Sequence, residues 1–226
     1  MIQGRRVRLF TSLSDRKEGN VPEPRTVPDI VIGRLPIYLR ALAHMAAEGT
    51  RITASKELAE RLGMSSAQIR KDLSHFGEFG KQGMGYDVAY LRDQLRSILQ
   101  LDRQWGMVLV GAGDLGHAIA HYAGFEDWGF HVVTVFDNNP QKIGRRLGKF
   151  EIRDSAYLAD QVQEMGIKIG ITAVPAAAAQ AVVDELVRGG VRAILNYAPI
   201  TVTVPPEVRV QYVDPVVYLQ RMSFYL

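Results

Sequence analysis

The chain has 226 residues, 47% hydrophobic and 23% charged, which suits one large or two small globular domains with a buried core and excludes a low-complexity or fibrous protein. It has no cysteine, so structural disulfides, thiolate zinc sites and cysteine nucleophiles are excluded and any redox function must come from a bound cofactor. Net charge is only +3 but uneven: residues 1–100 carry 16 Lys or Arg against 11 Asp or Glu, and residues 101–226 carry 11 against 13, a balance that fits either a polyanion-facing module joined to a neutral or acidic one or an uneven solvated surface.

No apolar run approaches the roughly 20 residues that span a bilayer. The amino terminus lacks the apolar core of a secretory signal. The expectations are therefore a cytoplasmic location and no membrane partner. Residues 1–28 hold Arg5, Arg6, Arg8 and three prolines with no apolar periodicity, which reads as a disordered tail in preference to a transit peptide.

From Asp29, read as an N-cap, Leu35, Leu39, Leu42 and Ala46 recur at helical spacing up to Gly49, with Pro36 in or near the first turn of the regular part. TASKELAERLG reads as a short helix with Leu58 and Leu62 inward and Gly63 as its stop. A second helix starts at Ser65, where Ser65 and Gln68 form a capping box. Two short helices joined by a glycine-containing turn are the helix-turn-helix pattern. Ile69, Leu73 and Phe76 share one face of the second helix, leaving Ala67, Lys71 and Ser74 opposite, flanked by Gln68 and Arg70. That outer face has the chemistry of a major-groove reader, with an ordinary solvated face as the alternative. GEFGKQGMGYDV then packs four glycines around Lys81 and Gln82, as a hairpin needs. A hairpin directly after a recognition helix makes a winged helix-turn-helix and places Lys81 to touch phosphate.

YLRDQLRSILQL repeats Leu91, Leu95, Ile98 and Leu99, giving a connecting helix that ends near Asp102, and Trp105 opens the next module. There MVLVGAGDLG runs from a strand into Gly111, Gly113 and Gly116 in GxGxxG spacing, and HAIAHYAGF reads as the helix behind them. In that geometry Gly111 makes the tight turn, Gly113 admits a pyrophosphate to the backbone and Gly116 lets helix and strand pack closely. The motif alone is weak, since glycine turns also have purely structural uses. HVVTVFD strengthens it by placing Asp137 at a second strand's carboxyl end, where a carboxylate binds a ribose and repels a 2′-phosphate. NNPQKIG reads as a turn and short helix with Lys142 near the nucleotide or simply solvated. SAYLADQVQEMG, KIGITAV, AAAAQAVVDELVRGG and VRAILN then alternate helix and strand, the parallel-sheet pattern. Strand carboxyl ends place Val174, Pro175, Asn196, Tyr197 and Ala198 along the cleft, and Tyr122 caps it or simply packs. One or two more strands precede a helix from Pro215 whose Val216, Val217, Leu219, Met222, Phe224 and Leu226 are too apolar to leave in water.

SSAQIRKDLSHFGEFGKQGMGYDV, GAGDLG, VFDNNPQKIG, AVPAAAAQ and ILNYAP, in this order and spacing, resemble the Rex family of bacterial redox-sensing transcriptional repressors over about residues 30–226. The resemblance implies an α/β protein with an N-terminal winged helix-turn-helix domain, a Rossmann-like parallel-sheet domain and a C-terminal, domain-swapped helix. It implies a homodimer on palindromic double-stranded operator DNA that binds NADH or NAD⁺ and is released when NADH replaces NAD⁺. By position it assigns Gly111, Ala112, Gly113, Asp114, Leu115 and Gly116 to the pyrophosphate and Asp137 to the ribose. Tyr122, Val174, Pro175 and Asn196 fall in the cofactor cleft. Ser66, Gln68, Arg70, Lys71, Ser74 and Lys81 face DNA, and Arg34, Tyr122 and Asp214 couple the domains. The implied domains are a tail at 1–28, winged helix at 29–88, connector at 89–104, nucleotide domain at 105–214 and dimerisation helix at 215–226.

The competing reading is an NAD-dependent dehydrogenase or a nucleotide- or CoA-binding enzyme subunit. A dehydrogenase needs an acid or base beside the nicotinamide. Of the histidines in the second half, His117 and His121 follow the glycine turn and His131 opens a strand, so none belongs to the late strand ends. With no catalytic triad or metal cluster apparent either, a non-enzymatic, metal-free sensor is expected.

Overall fold

Val31, Leu35, Tyr38, Leu39, Leu42 and Met45 recur every three or four residues, so helix α1, Asp29–Ala47, turns them all onto one buried face. The computed structural model describes residues 6–7, 27–81 and 84–226, in two units, Met1–Asp102 and Arg103–Leu226. Ahead of α1, Arg6–Val7 (β1) pairs antiparallel with Val27–Pro28 (β2). The rest of the tail expected over 1–28 lies outside the described residues. Pro28 rather than Asp29 is the N-cap, and Asp29 occupies the first turn, where its charge suits the positive helix end. Pro36 lies in the helix interior, not the first turn, and removes one ladder hydrogen bond. The covered side chains on both sides of it keep the helix continuous. By length and composition α1 also meets the requirements of a membrane span, which the reading of apolar runs missed. Its apolar face is nevertheless committed to the unit's core, with Leu35, Tyr38, Leu42 and Met45 fully covered.

The chain continues through Ile52–Thr53 (β3), Ser55–Leu62 (α2), Ser66–Leu73 (α3), Gly80–Lys81 (β4), Gly85–Asp87 (β5) and Val88–Ile98 (α4). Gly63 closes α2 in the left-handed region at φ 63°, and Ala59 joins Leu58 inside while Leu62 is only half-buried. The wing is a three-stranded antiparallel sheet in the order β3-β5-β4. Asp87 accepts from the Tyr90 backbone N–H at 2.8 Å and so starts α4. Val88, Leu91 and Leu95 bury α4 within the first unit, where it packs on α1. The helix expected to connect the modules over 89–104 is therefore part of the winged-helix core.

The second unit runs through Trp105–Val110 (β6), Asp114–Ala120 (α5), Phe130–Asp137 (β7), Arg146–Leu147 (β8), Phe150–Asp154 (β9), Leu158–Glu164 (α6), Ile169–Thr172 (β10), Ala176–Arg188 (α7), Ala193–Asn196 (β11), Arg209–Tyr212 (β12) and Pro215–Ser223 (α8). Its sheet has the order β12-β11-β10-β6-β7-β9-β8, all neighbours parallel except the β8–β9 hairpin. The first strand, β6, lies between β7 and β10, so the crevice opens at its carboxyl end, where the strand order reverses. Val108 and Val110 pack with Phe136, Val162 and Val183 on one face. Met107 and Leu109 pack with Val135, Ile152 and Ile171 on the other, as in a parallel sheet covered on both sides. Two expectations are corrected here. NNPQKIG forms turns without a helix, and HAIAHYAGF divides into the end of α5 and a 3-10 turn over Ala123–Trp128.

Leu42→Ala removes a fully covered side chain from α1 and is expected to cost about 2–5 kcal/mol. Urea unfolding of the first unit's helices checks this, and a loss under about 1 kcal/mol would show a site that collapses freely around the deletion.

Candidate functional site

At the end of β6 the chain turns at Gly111, whose φ is +105° and whose N–H donates to the Phe136 carbonyl at 2.8 Å. A Cβ there would collide with the Ala173 carbonyl oxygen, and one at Gly116 would collide with the Gly111 carbonyl oxygen. A Cβ at Gly113 would meet nothing within 4 Å. Two glycines are thus demanded by the protein's own backbone, while the third borders open space. Gly113 also caps α5 without a side-chain bond, and Asp114 and Leu115 stand exposed on the first turn beyond it.

Asp137 ends β7 and is only 7% exposed. Its Oδ2 accepts from the Ala112 N–H at 2.8 Å and from Lys142 Nζ at 3.3 Å, and its Oδ1 accepts from the Asn139 N–H at 2.8 Å. Burial alone would push this carboxyl up. The Ala112 and Asn139 N–H groups and the Lys142 ammonium outweigh it and hold it below the usual carboxylate range. The same bonds place Gly111, Ala112, Gly113, Asp137 and Lys142 around one turn.

Across the switch point, Thr172 and Asn196 lie side by side at the ends of β10 and β11. Thr172 Oγ1 donates to Asn196 Oδ1 at 2.5 Å, and Asn196 Nδ2 donates to the carbonyls of Ala198 and Ile200 at 3.2 and 3.1 Å. Asn196 is fully buried, which corrects the expectation that its side chain lines the cleft: it shapes the loop that follows. Val174 is half-buried beside Gly111, and Pro175 is exposed as the N-cap of α7. Tyr122 is exposed and meets Phe125 edge to face, with ring centroids 5.0 Å apart. Burial pushes the Tyr197 hydroxyl up, and Tyr122 adds to that shift, so the two phenols share one region. Asp214 accepts from the Val216 N–H at 2.9 Å and caps α8. Every residue of α8 is exposed.

In the first unit, α3 buries Ile69, Asp72 and Leu73 and exposes Arg70, Lys71 and, just past its end, Ser74, with Ser66 half-buried. Arg70 Nη1 donates to Ser55 Oγ at 3.0 Å, and Ser74 Oγ donates to the Lys71 carbonyl at 2.8 Å. The Lys81 backbone is in β4, and its side chain lies outside the described residues. Only half of the expected capping box forms: Ser65 Oγ accepts from the Gln68 N–H at 3.1 Å. The Gln68 amide instead donates to Asp72 Oδ1 at 2.6 Å, so the side chain expected to flank the outward face and meet DNA is half-buried and turned toward Asp72.

Asp72 is the residue that sequence reasoning passed over. Arg34 Nε donates to its Oδ2 at 2.5 Å, Arg34 Nη2 to its Oδ1 at 2.8 Å, and the Tyr38 hydroxyl to its Oδ2 at 2.6 Å. Burial opposes the charge, but the Arg34, Tyr38 and Gln68 bonds hold the carboxyl below its ordinary value. The available signal was an acid three residues after Ile69 and four before Phe76, on the apolar stripe itself.

With this geometry in hand, residues 26–74 match the family model described as "Putative DNA-binding protein N-terminus", and residues 102–200 match the CoA binding domain. A redox-sensing transcriptional repressor Rex from Chloroflexus aggregans is 52% identical over 199 residues, 88% of this chain and 94% of that protein. The chain belongs to the Rex family. It is a redox-sensing transcriptional repressor rather than an enzyme. A crystal structure of RSP in complex with beta-NAD+ and operator DNA matches with TM-score 0.83 and 39% identity, covering 87% of this chain and 90% of that one. A second, of RSP in complex with beta-NADH, matches with TM-score 0.79 and 37% identity, covering 87% and 92%. The Rex fold accounts for the two units, a DNA-binding domain followed by a Rossmann-like sheet. Among the described residues no cluster of His, Asp and Glu could hold a metal ion.

The depressed Asp137 carboxyl makes an acid-limb prediction. Its contribution to stability is fully present above the ordinary carboxylate value of about 4 and is lost as pH falls through the lower folded value. Asp137→Asn is expected to flatten the acid limb of a stability–pH curve, measured by urea unfolding between about pH 2 and 7. An unchanged limb would mean that the folded carboxyl is not depressed.

Proposed function

We propose that the second unit binds NADH or NAD⁺ at the Gly111–Gly116 turn, that the first unit binds palindromic operator DNA through α3 and the wing, and that a homodimer in the cytoplasm, without a metal, releases its operator when NADH replaces NAD⁺. The observation that carries this reading is the open space at Gly113 beside the Asp137 carboxylate, in a turn where the other two glycines are fixed by backbone contacts. A pyrophosphate fits a backbone left bare of Cβ, and an adenosine ribose hydroxyl fits the one acceptor position that three donors leave open on the carboxylate. Asp137 favours NAD over NADP because it repels a 2′-phosphate. The solved relatives, one holding beta-NAD+ with operator DNA and one holding beta-NADH, support the same two ligands.

NADH and NAD⁺ share every atom that the glycine turn and Asp137 would touch, so discrimination arises at the nicotinamide. The half-buried, apolar Val174 favours a neutral ring over a cationic one, since burying an unpaired cation is costly. A dimer is supported by α8, which leaves Val216, Val217, Leu219 and Met222 exposed in the single chain. Truncating residues 215–226 is expected to abolish dimerisation in sedimentation measurements.

Linkage tests the switch. Operator DNA must weaken NADH binding by the factor by which NADH weakens operator binding. Calorimetry of NADH with and without saturating operator measures this, and identical affinities would end the redox-switch reading. Lys71→Ala is expected to lose about 1–3 kcal/mol of operator binding, or to flatten the salt slope if it meets only phosphate, with NADH binding intact. Unchanged operator affinity at several salt concentrations would remove Lys71 from the interface.

A further inference from the structure

Helix α3 is two turns long, and its buried apolar side chains, Ile69 and Leu73, stand four residues apart along one line of the helix. Such a line presses a helix against its neighbours but leaves it free to roll. Asp72 sits at the edge of that line, 0% exposed, and is gripped from α1 by both donors of the Arg34 fork and by the Tyr38 hydroxyl. Burying a carboxylate and a guanidinium is poor adhesive, because packed apolar side chains of the same volume hold two helices at least as well. What the fork adds is direction, since its planar donors meet the carboxylate in one orientation. That direction matters outside the core. Lys71 lies about 100° round the axis from Asp72, and a roll of about 10° moves an atom 6 Å from the axis by about 1 Å.

We propose that Arg34 and Tyr38, through Asp72, are positioning residues that set the roll of the recognition helix for operator reading, and that Asp72 holds Gln68 out of base recognition. The proposal rests on the DNA-binding reading above. It divides the labour on α3. The Gln68 amide, whose chemistry suits adenine, is turned inward onto Asp72 Oδ1, while Arg70 and Lys71, whose chemistry suits guanine and phosphate, stay exposed. When the latch is weakened, DNA that matches the helix face must itself supply the missing order. Phosphate contacts that tolerate roll lose little, so specific binding suffers more than non-specific binding.

The test uses the full-length chain with Asp72→Asn, Arg34→Lys, Tyr38→Phe and Gln68→Ala. A palindromic duplex selected with the wild-type protein and a scrambled duplex of equal length are titrated at several salt concentrations, beside thermal melts. The readout is the ratio of selected to scrambled affinity, which a loss of folded protein leaves unchanged because it weakens both equally. Asp72→Asn and Arg34→Lys are expected to cut that ratio about ten- to one-hundred-fold, the range for a lost hydrogen bond to a charged group. Tyr38→Phe is expected to cut it several-fold. Gln68→Ala is expected to cut it slightly and equally at every base pair. If Asp72→Asn does not fold, Tyr38→Phe and Gln68→Ala decide by the same ratio. Variants that melt earlier yet keep the wild-type ratio would overturn the proposal, as would a Gln68→Ala protein that loses preference for adenine at one position. A wild-type protein that selects no duplex would instead overturn the DNA-binding reading itself.

Discussion

The second unit depends on one close approach: the α-carbon of Gly116, in the first turn of α5, lies against the carbonyl of Gly111, so helix and strand meet without a side chain between them. Everything near the crevice inherits its place from that contact. It brings Ala112 to the height of Asp137, whose carboxylate takes the Ala112 N–H and ties β7 to the loop that leaves β6. It also sets Gly111 against Ala173, so the loop after β10 is drawn to the same point. A strand, a helix and two loops are thus aligned by two backbone contacts at glycine and one carboxylate bond, which leaves the Gly113 backbone bare for recognition.

Among the described residues each unit buries a single carboxylate, to different ends. Asp72 is saturated by protein donors from α1 and from its own helix and is closed to any ligand. Asp137 accepts two backbone N–H groups and one ammonium and sits where the sheet opens. In both, hydrogen bonds overcome the desolvation that would otherwise neutralise the group. One negative charge organises the interior of a helical domain, and the other stands at the edge of a cleft.

Much of this was legible in the amino-acid order because local chemistry and global fold agree. The glycine turn, the acid at the next strand's end, the Gly63 stop and the wing glycines are demands of backbone geometry that few residues meet. The rest depended on contacts that no local pattern encodes. Periodicity shows that α4 has an apolar face but not that α1 covers it. The two-residue strand β3 and the β8–β9 hairpin are too short to register as an alternation. The rule that ligands gather at strand carboxyl ends placed Asn196 in the right region, yet the pleat turned its amide inward to Thr172. Asp72 was hidden by the habit of reading an acid in a helix as solvated.

Helix α8 has a thermodynamic consequence of its own. Its apolar side chains find no cover among the described residues, and in the proposed dimer the state that shelters them is an associated one. For such a dimer folding and association are linked equilibria, and the melting temperature is a function of protein concentration. Dilution acts in the same direction as heat, and the number of copies present becomes, like temperature, a variable that sets how much of the protein is fully assembled.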